Sequence, residues 1–394
     1  PMLNGKNILI GIGGGIAVYK VAELARMLTK AGADVRCVMT RSAREFVTPM
    51  TFEALTGNQV HTELFDLTCE RQMGHIALAR QADAVIIAPA TASLLARLAH
   101  GIADDLLTTL MLVCEKPVLL APAMNTSMWE SAATQHNIKT LQQRGMHSIG
   151  PATGELACGE RGEGRLADTR SIVSALLPLL TQQNLQGQHW VINGGPTVES
   201  WDAVRILSSR ASGMLGALLA DLAVIRGARV SFIAGPGTPE THPQVSRRDV
   251  ESAAQMMLAC EQAAISADVF IGTAAVSDYR FSQPHTEKLK RGETSSMTIK
   301  LTANPDIIAR IAAMDGRPTT VIAFAAESSN HIEYARAKLV SKRVDAVVAN
   351  DVSNMGNDTA SGWWLSRDDE SPIASQSKLE FAEQIINHIM ELKQ

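Results

Sequence analysis

Short apolar runs and amphipathic runs alternate along this chain from its first residues onward. The runs typical of buried strands in the first half are "NILIGI" (7–12), "DVRCVMT" (34–40), "ADAVIIAPA" (82–90) and "PVLLAPA" (117–123). Segments with helical periodicity stand between them, such as "AVYKVAELARMLTKAG" (17–32). Because parallel strands need a crossover between them, this alternation predicts an α/β fold whose parallel sheet is covered by helices on both faces.

The alternation stops at a polar stretch, "TQQNLQGQ" (181–188), and then starts again. Strand-like runs follow at 189–195, 229–237, 268–276, 319–327 and 345–352, with helix-like runs at 212–228, 304–314 and 377–393. A chain of 394 residues also exceeds what one hydrophobic core usually serves. We therefore predict two α/β domains, 1–180 and 189–394, joined by a linker over 181–188.

Charge and composition exclude several classes of function. The net charge is −4 and no basic run is present, which argues against nucleic acid as a partner. The longest apolar runs are too short to span a bilayer, and the N-terminus lacks the pattern of a secretory signal. A cytoplasmic protein without a membrane partner is therefore expected.

The five cysteines are an odd number without a CxxC pair, which argues against a disulfide framework or a structural zinc site. Cys37, Cys114 and Cys260 lie in strand-like or helix-like runs, so we expect them to be small buried side chains. Cys158 differs, because it stands among glycines and charges in "GELACGERGEGRL" (154–166). That stretch has no apolar periodicity and predicts a mobile surface loop that carries a thiol.

Three loops follow strands of the first half and share small or hydrogen-bonding residues. "GIGGGIAVYK" (11–20) opens a helix whose N-terminus favours a phosphate, although alone it is nearly as consistent with a turn that binds nothing. "APATAS" (88–93) and "APAMNTSMW" (121–129) add hydroxyls and an amide at two further strand ends, and the three together predict a site for a phosphorylated aromatic cofactor. Taken singly, His75 is more consistent with a structural role, and Asn125 is equally consistent with a helix cap.

Longer motifs, in a fixed order, resemble those of a known family. They are "GGGIAVYK", "MGHIALARQAD", "APATASLLARLAHGIADDLL", "PAMNTSMWE" and "ACGERGEGRL". Together they resemble the flavin-dependent cysteine decarboxylases, and nearly all 394 residues are similar to the bifunctional phosphopantothenoylcysteine decarboxylase/phosphopantothenate–cysteine ligases of coenzyme A biosynthesis. The resemblance implies a flavodoxin-like, doubly wound parallel sheet in the N-terminal domain and a Rossmann-like α/β ligase domain at the C-terminus.

For the first domain, the resemblance implies that FMN is bound and that phosphopantothenoylcysteine is decarboxylated to 4′-phosphopantetheine. His75 would act on the substrate thiol or position it, and Asn125 would bind the substrate carboxylate. Cys158 would donate the proton that completes reduction of the enethiol product. The cofactor-binding residues that the resemblance implies are Gly13, Gly14, Gly15, Thr40, Ser42, Ala88, Pro89, Thr91 and Met124.

For the second domain, the resemblance implies ligation of 4′-phosphopantothenate with cysteine, driven by CTP and assisted by Mg²⁺. Lys288 would stabilise the triphosphate and the acyl-cytidylate, and Asp278 would contact the cytosine or the metal. The other residues implied at the substrate and nucleotide site are Ser209, Asn304, Pro305, Asp306 and Phe324. Flavin domains of this family form trimers and ligase domains form dimers, which implies a homo-oligomer, a dodecamer.

Several positions depart from the family pattern. Gly13 replaces a serine in the first glycine loop, and Val198, Ser209 and Met214 replace an arginine, an asparagine and a lysine in the substrate segment of the second domain. A serine hydroxyl offers fewer hydrogen bonds than an amide. The arginine and the lysine that are replaced would attract an anionic substrate, and this attraction is lost. Two alternatives therefore remain open: a decarboxylase of a specialised pathway with an impaired ligase domain, and a non-catalytic regulatory flavoprotein.

Overall fold

The computed structural model of the protein describes residues 2–63, 69–156, 159, 161–290, 292, 295–327, 331–351 and 358–392. The chain divides into two compact units, Pro1–Gln182 and Gln183–Gln394, and each has its own hydrophobic core. None of the helices in the described ranges combines the length and the apolar character needed to span a bilayer.

The first unit contains a parallel sheet with helices between its strands. Its strands are β1 (Asn7–Ile12), β2 (Asp34–Met39), β3 (Ala84–Ala90), β4 (Val118–Pro122), β5 (His147–Ser148), β6 (Ala152–Glu155) and β7 (Arg161–Arg165). Its α-helices are α1 (Val18–Lys30), α2 (Pro49–Thr56), α3 (Cys69–Gln81), α4 (Ala92–His100), α5 (Leu106–Val113), α6 (Thr126–Glu130), α7 (Ala132–Gln143) and α8 (Thr169–Leu176). Among the described residues, five strands form the sheet in the order β2–β1–β3–β4–β5, and every neighbouring pair is parallel. The order reverses between β1 and β3, where sheets of this kind open a crevice at the carboxyl ends of the strands.

The central strands β1, β3 and β4 of this sheet are buried on both faces, because successive side chains point to opposite helical layers. In β1, Ile8 and Ile10 belong to one core cluster, whereas Leu9 belongs to the cluster on the other face. All seven residues of β3 are buried, as its continuous apolar run predicts. Such runs become strands because a sheet covered on both faces removes both sets of side chains from water.

Part of the glycine-rich stretch around Cys158 forms strands where its sequence predicts a loop. β6 and β7 pair as antiparallel strands, with Gly154 opposite Gly162. The prediction is wrong for residues 154–155 and 161–165, because main-chain hydrogen bonds hold a two-stranded ribbon together without any apolar periodicity of its own. Cys158 stands between β6 and β7 in the sequence and lies outside the described residues.

The second unit repeats the α/β plan with a larger sheet. Its strands are β8 (His189–Gly194), β9 (Val198–Ser200), β10 (Ile206–Ser208), β11 (Arg229–Ala234), β12 (Ser246–Asp249), β13 (Val269–Gly272), β14 (Tyr279–Phe281), β15 (Leu301–Ala303), β16 (Thr320–Glu327), β17 (Ala346–Asp351), β18 (Thr359–Ser366) and β19 (Glu370–Ser377). Its helices are α9 (Met214–Ile225), α10 (Ala253–Ala264), α11 (Ile307–Ala313), α12 (His331–Ser341) and α13 (Lys378–Glu391). Within the described ranges, eight strands form one sheet in the order β12–β11–β8–β13–β16–β17–β18–β19. Neighbours from β12 to β17 are parallel, and the order reverses between β8 and β13.

The last two strands of this sheet are ones that the sequence does not predict. β18 pairs antiparallel with β17, and β19 pairs antiparallel with β18. The three final residues of β18, 364–366, are all buried, so this strand lacks the period of two that would reveal it. The predicted parallel strands are confirmed, with the predicted bounds for β1 and shorter bounds for the others; the largest difference is at 268–276, where only Val269–Gly272 forms a strand.

The cysteine predictions are confirmed for two residues and wrong for a third. Cys37 and Cys260 are buried, and burial raises the pKa of each thiol to about 12. Neither is therefore a thiolate near neutral pH. Cys114 is only half-buried, because it follows the last turn of α5, and its sulfur lies 3.8 Å from the carbonyl oxygen of Lys116.

Residues of the predicted linker pack on the second unit. Leu185 is fully buried, and its N–H donates a hydrogen bond to the carbonyl of Arg226 at 3.0 Å. The side-chain amide of Gln183 donates to the carbonyl of Ile225 at 2.8 Å. These bonds satisfy carbonyls at the C-terminal end of α9 that have no partner within the helix.

Truncation of Leu185 tests this packing. We expect Leu185→Ala to lower the free energy of unfolding of the second unit by about 2–5 kcal/mol, because removing a buried leucine side chain leaves a cavity. Urea unfolding followed by tryptophan fluorescence measures the change, since Trp190 is buried in the same unit. Asn184→Ala, at an exposed neighbouring position, is the matched control. Equal stabilities of the two variants would show that this segment is a free linker.

Candidate active sites

A cavity of about 810 Å³ opens in the first unit at the carboxyl ends of β1, β3 and β4. It lies where the strand order reverses. The predicted residues that line it are Gly13, Gly14, Gly15, Thr40, Ser42, Thr91, Met124 and Asn125. Ala88 and Pro89, which were also predicted to bind the cofactor, are not among the lining residues.

The glycine loop packs tightly on two neighbouring turns. A β-carbon at Gly14 would lie 2.2 Å from Cβ of Ser42, and one at Gly13 would lie 2.3 Å from the carbonyl oxygen of Pro89. Neither position accepts a side chain unless the backbone moves. Pro89 thus supports the loop from behind, and its carbonyl leaves no room at Gly13 for the serine of the family pattern.

Two threonine hydroxyls hold the turns that surround the cavity. The hydroxyl of Thr40 accepts a hydrogen bond from Ala43 N–H at 3.2 Å. The hydroxyl of Thr91 accepts one from Leu94 N–H, also at 3.2 Å, and so caps α4. These bonds hold the loops after β2 and β3, which form part of the cavity wall.

Asn125 combines the two roles that its sequence position leaves open. Its Oδ1 accepts a hydrogen bond from Ser127 N–H at 2.8 Å and caps α6, and the residue also lines the cavity. The hairpin formed by β6 and β7 contacts the loop that carries Asn125, since Met124 N–H donates to the carbonyl of Gly164 at 2.8 Å. Gly164 has a φ of 153°, and a β-carbon there would lie 2.2 Å from the Met124 carbonyl oxygen, so this approach requires glycine.

His75 lies within α3, several residues after its start, and is not among the residues that line the cavity. Its ring meets the ring of His61 edge-on, with the centroids 5.4 Å apart. Burial lowers the pKa of His61, and the charge of the neighbouring His75 lowers it further. The Nδ1 atom of His75 is buried and has no hydrogen-bond partner among the described residues. Within the described part of one chain, His75 and Asn125 therefore do not share a cavity.

In the second unit, hydrogen bonds join the ends of the two strands at the order reversal. The Oδ1 atom of Asn193 accepts from Ala274 N–H at 3.0 Å, and its carbonyl accepts from Thr273 N–H at 3.2 Å. The hydroxyl of Thr197 accepts from Ser277 N–H at 2.9 Å. These contacts hold the segment that leads to Asp278 against the loop after β8.

Asn304 connects the predicted nucleotide residues. Its N–H donates to the carbonyl of Asp278 at 2.7 Å, and its side-chain amide donates to the carbonyl of Ser277 at 2.8 Å. The same amide lies 3.3 Å from the Oε1 atom of Glu199, a buried carboxylate that also accepts from Ala253 N–H at 3.0 Å. Glu199 was not predicted from the sequence, because nothing next to it marks it as a partner of Asn304.

Asp306 and Phe324, which were also predicted at this site, form hydrogen bonds with other residues of the second unit. Asp306 accepts from Ala309 N–H at 3.0 Å, which caps α11, and it pairs with Lys342. The carbonyl of Phe324 accepts from Lys338 Nζ at 2.6 Å. Within the described ranges, no group of three or more His, Cys, Asp or Glu side chains is arranged to hold a metal ion.

The substituted positions of the second unit have different surroundings. Ser209 is exposed and Met214 is 38% exposed at the start of α9, whereas Val198 is buried in β9. Lys288 is exposed on the long connection between β14 and β15. Val198 therefore replaces the charged arginine of the family pattern with a side chain that packs in the core. Ser209 and Met214 instead alter a surface that a ligand can reach.

Comparison with known proteins assigns both halves of the chain to families. Residues 1–181 match the Flavoprotein family, and residues 185–392 match the C-terminal domain of DNA/pantothenate metabolism flavoproteins. The coenzyme A biosynthesis bifunctional protein CoaBC of Haemophilus influenzae is 43% identical over 395 residues, which cover 99% of this chain and 98% of that protein. The chain belongs to the CoaBC family. The CoaBC protein of Vibrio parahaemolyticus is 45% identical over 398 residues, 99% of each chain.

A solved structure of a CoaBC C-terminal domain is 33% identical and covers 54% of this chain and 99% of that domain, with a TM-score of 0.47. Membership of the CoaBC family confirms the resemblance that the sequence motifs indicate. The two observed sheets, each with a reversal of strand order, confirm the doubly wound α/β fold class.

The cavity of the first unit fits the flavin mononucleotide that a flavoprotein domain implies. Its glycine loop precedes α1, a helix of 13 residues whose N-terminus favours a phosphate. Lys20 and Arg165 bring positive charge to the cavity. Burial lowers the pKa of Lys20, and the nearby charge of Arg165 lowers it further. Ile16, Met124 and Met128 offer apolar contacts to a flat ring system.

Adding a methyl group to the glycine loop tests this fit. We expect Gly14→Ala to lose most of its bound flavin, because the added carbon would meet Ser42 at 2.2 Å and displace the loop. Absorbance at visible wavelengths and the flavin content of the purified protein measure the effect. Gly15→Ala is the matched control, since its added carbon would meet Pro89 and Thr91 at an ordinary 3.7 Å. Flavin lost from Gly15→Ala but kept in Gly14→Ala would contradict this packing.

Proposed function

We propose that this chain is a cytoplasmic bifunctional enzyme of coenzyme A biosynthesis. It ligates 4′-phosphopantothenate with cysteine and decarboxylates the resulting phosphopantothenoylcysteine to 4′-phosphopantetheine. The observation that carries this proposal is that one chain matches both family domains and nearly the full length of the CoaBC relatives. A regulatory flavoprotein or a specialised decarboxylase has no comparable support.

In the first unit, FMN would be held by the glycine loop, residues 13–15, together with Thr40, Ser42 and Thr91. When bound, the flavin supplies a two-electron acceptor for the carbon that bears sulfur and later returns the electrons. The amide of Asn125 would hold the substrate carboxylate at the cavity wall, so that carbon dioxide leaves from a fixed orientation. Cys158 would donate a proton to the product from the connection between β6 and β7.

His75 would reach this cavity from a neighbouring copy of the chain. It does not line the cavity beside its own Asn125, and its buried Nδ1 atom lacks a partner among the described residues. A site shared between copies gives a physical reason for the trimer of flavin domains that the resemblance implies. Trimers joined through dimers of the ligase units would give the dodecamer.

In the second unit, CTP would activate the carboxylate of 4′-phosphopantothenate as an acyl-cytidylate, with release of pyrophosphate. The ammonium of Lys288 would stabilise the charge that develops on the phosphates. Mg²⁺ would be held by Asp278 together with nucleotide phosphates and water, because this ion usually takes only one or two protein carboxylates. The amine of cysteine would then displace CMP, with Ser209, Phe324 and residues 304–306 lining the substrate and nucleotide site.

Two substitutions should separate the two reactions. We expect His75→Asn to stop decarboxylation of supplied phosphopantothenoylcysteine, while pyrophosphate is still released from CTP in the presence of 4′-phosphopantothenate, cysteine and Mg²⁺. Lys288→Gln should show the opposite pattern, because the two reactions use different units. Mass spectrometry of the acyl products distinguishes them. The proposal is wrong if the unaltered chain releases no pyrophosphate or if Lys288→Gln ligates normally.

Mixed oligomers test the shared decarboxylase site. His75→Asn and Asn125→Asp chains should each be inactive alone, yet regain decarboxylation when they are expressed together with different affinity tags. Some sites between copies would then combine an intact His75 with an intact Asn125. The control is each variant expressed with a differently tagged copy of itself. A mixed oligomer as inactive as the controls would place the whole site within one chain.

A further inference from the structure

The segment that carries Lys288 is attached to the turn between β9 and β10. Leu289, the next residue, donates its N–H to Oδ2 of Asp202 at 3.0 Å. Its carbonyl accepts from Nη2 of Arg205 at 2.8 Å. His285 N–H donates to the carbonyl of Trp201 at 2.8 Å. Both main-chain groups of the residue after Lys288 are therefore held by two side chains far away in the sequence.

The side chain of Asp202 is itself fixed by hydrogen bonds, so it can hold the Leu289 main chain in place. The residue is 3% exposed, and its Oδ1 accepts from the N–H groups of Val204 and Arg205, each at 2.8 Å. Its Oδ2 accepts from Nε of Arg205 at 2.9 Å, from Nη2 at 2.5 Å and from Leu289 N–H. The bonds from the Arg205 guanidinium hold the pKa of the Asp202 carboxyl well below its usual range. The carboxylate is thus ionised, and every oxygen is engaged.

Arg205 is itself fixed by an aromatic stack. Its guanidinium lies over the ring of Trp201, with the carbon at its centre 4.1 Å from the ring centroid. Trp201 in turn stacks on Phe281, with centroids 5.9 Å apart and an angle of 20° between the rings. Phe281 ends β14, the strand from which the Lys288 segment departs. The stack and the carboxylate together tie both the start and the middle of that segment to the β9–β10 turn.

We propose that Asp202 and Arg205 are positioning residues that fix Lys288 relative to the segment 206–209, which ends at Ser209 of the predicted substrate site. β10 begins directly after Arg205 and leads to Ser209, so one turn sets the distance between the lysine and that segment. An exposed lysine on a long connection samples many orientations, and transfer reactions lose rate steeply when a reacting group is misplaced. This inference rests on the proposed ligase function of Lys288.

Asp202→Asn tests the attachment. An amide has one acceptor oxygen, so it cannot serve both the Val204 and Arg205 amides and the Leu289 N–H. We expect the kcat of ligation to fall about 100-fold, with little change in the KM for CTP. Hydrogen exchange of the Leu289 amide, measured by mass spectrometry on the full chain, should become about tenfold faster. Decarboxylation of supplied phosphopantothenoylcysteine should stay unchanged, which reports that the first unit is intact.

Two further variants separate positioning from folding. Arg205→Lys keeps the charge but loses the Nε bond to Asp202 and the planar guanidinium that stacks on Trp201, so its kcat should lie between those of the unaltered chain and Asp202→Asn. Glu370→Gln removes a carboxylate paired with Arg336 elsewhere in the unit and should change neither readout. Faster exchange throughout the second unit of Asp202→Asn would indicate a folding role and overturn the proposal.

The remaining outcomes test separately the positioning role of Asp202 and the proposed ligase function of Lys288. Unchanged exchange at Leu289 in Asp202→Asn, or faster exchange with normal ligation, would overturn the positioning role and leave the ligase function standing. Normal ligation by Lys288→Gln would overturn the function assigned to Lys288 and the positioning role together. Faster exchange confined to the Lys288 segment, together with a fall in kcat, supports both.

Discussion

The first strand of each unit is hydrogen-bonded on both sides, and the position of every candidate site depends on that pairing. β1 lies between β2 and β3, and β8 lies between β11 and β13. The chain leaves the first strand toward one neighbour and later returns on the other side, so the loops diverge and open a crevice. Glycines follow both strands because the backbone passes close to other loops; a β-carbon at Gly195, for example, would lie 2.1 Å from the hydroxyl of Thr238.

Small antiparallel hairpins complete the sites on this framework. β6–β7 rests on the Asn125 loop through Gly164, and the β9–β10 turn holds the Lys288 segment through Asp202. The buried carboxylate of Glu199, on β9, is joined to Asn304. Chemistry at both sites therefore depends on residues that hold loops in place, in addition to residues that would touch a substrate.

Much of this architecture follows from local sequence. A strand buried on both faces must be apolar throughout, so β3 is visible as an unbroken run. The hairpins are different, because β7 contains only Gly, Arg and Glu and is held by main-chain bonds and by contact with Met124. β18 is also hidden, since its last three residues, 364–366, are all buried and break the period of two.

The sequence by itself determined the α/β class, the two halves, the family and the residue types available for chemistry, because periodicity and motifs are local properties of the chain. The tertiary structure alone decided which of those residues meet. It brings Asp278 to Asn304, leaves His75 out of the cavity beside Asn125, and ties Leu289 to Asp202 across 87 positions of sequence. The physical reason is that such contacts depend on how distant loops pack around the strand ends, and no local pattern encodes that packing.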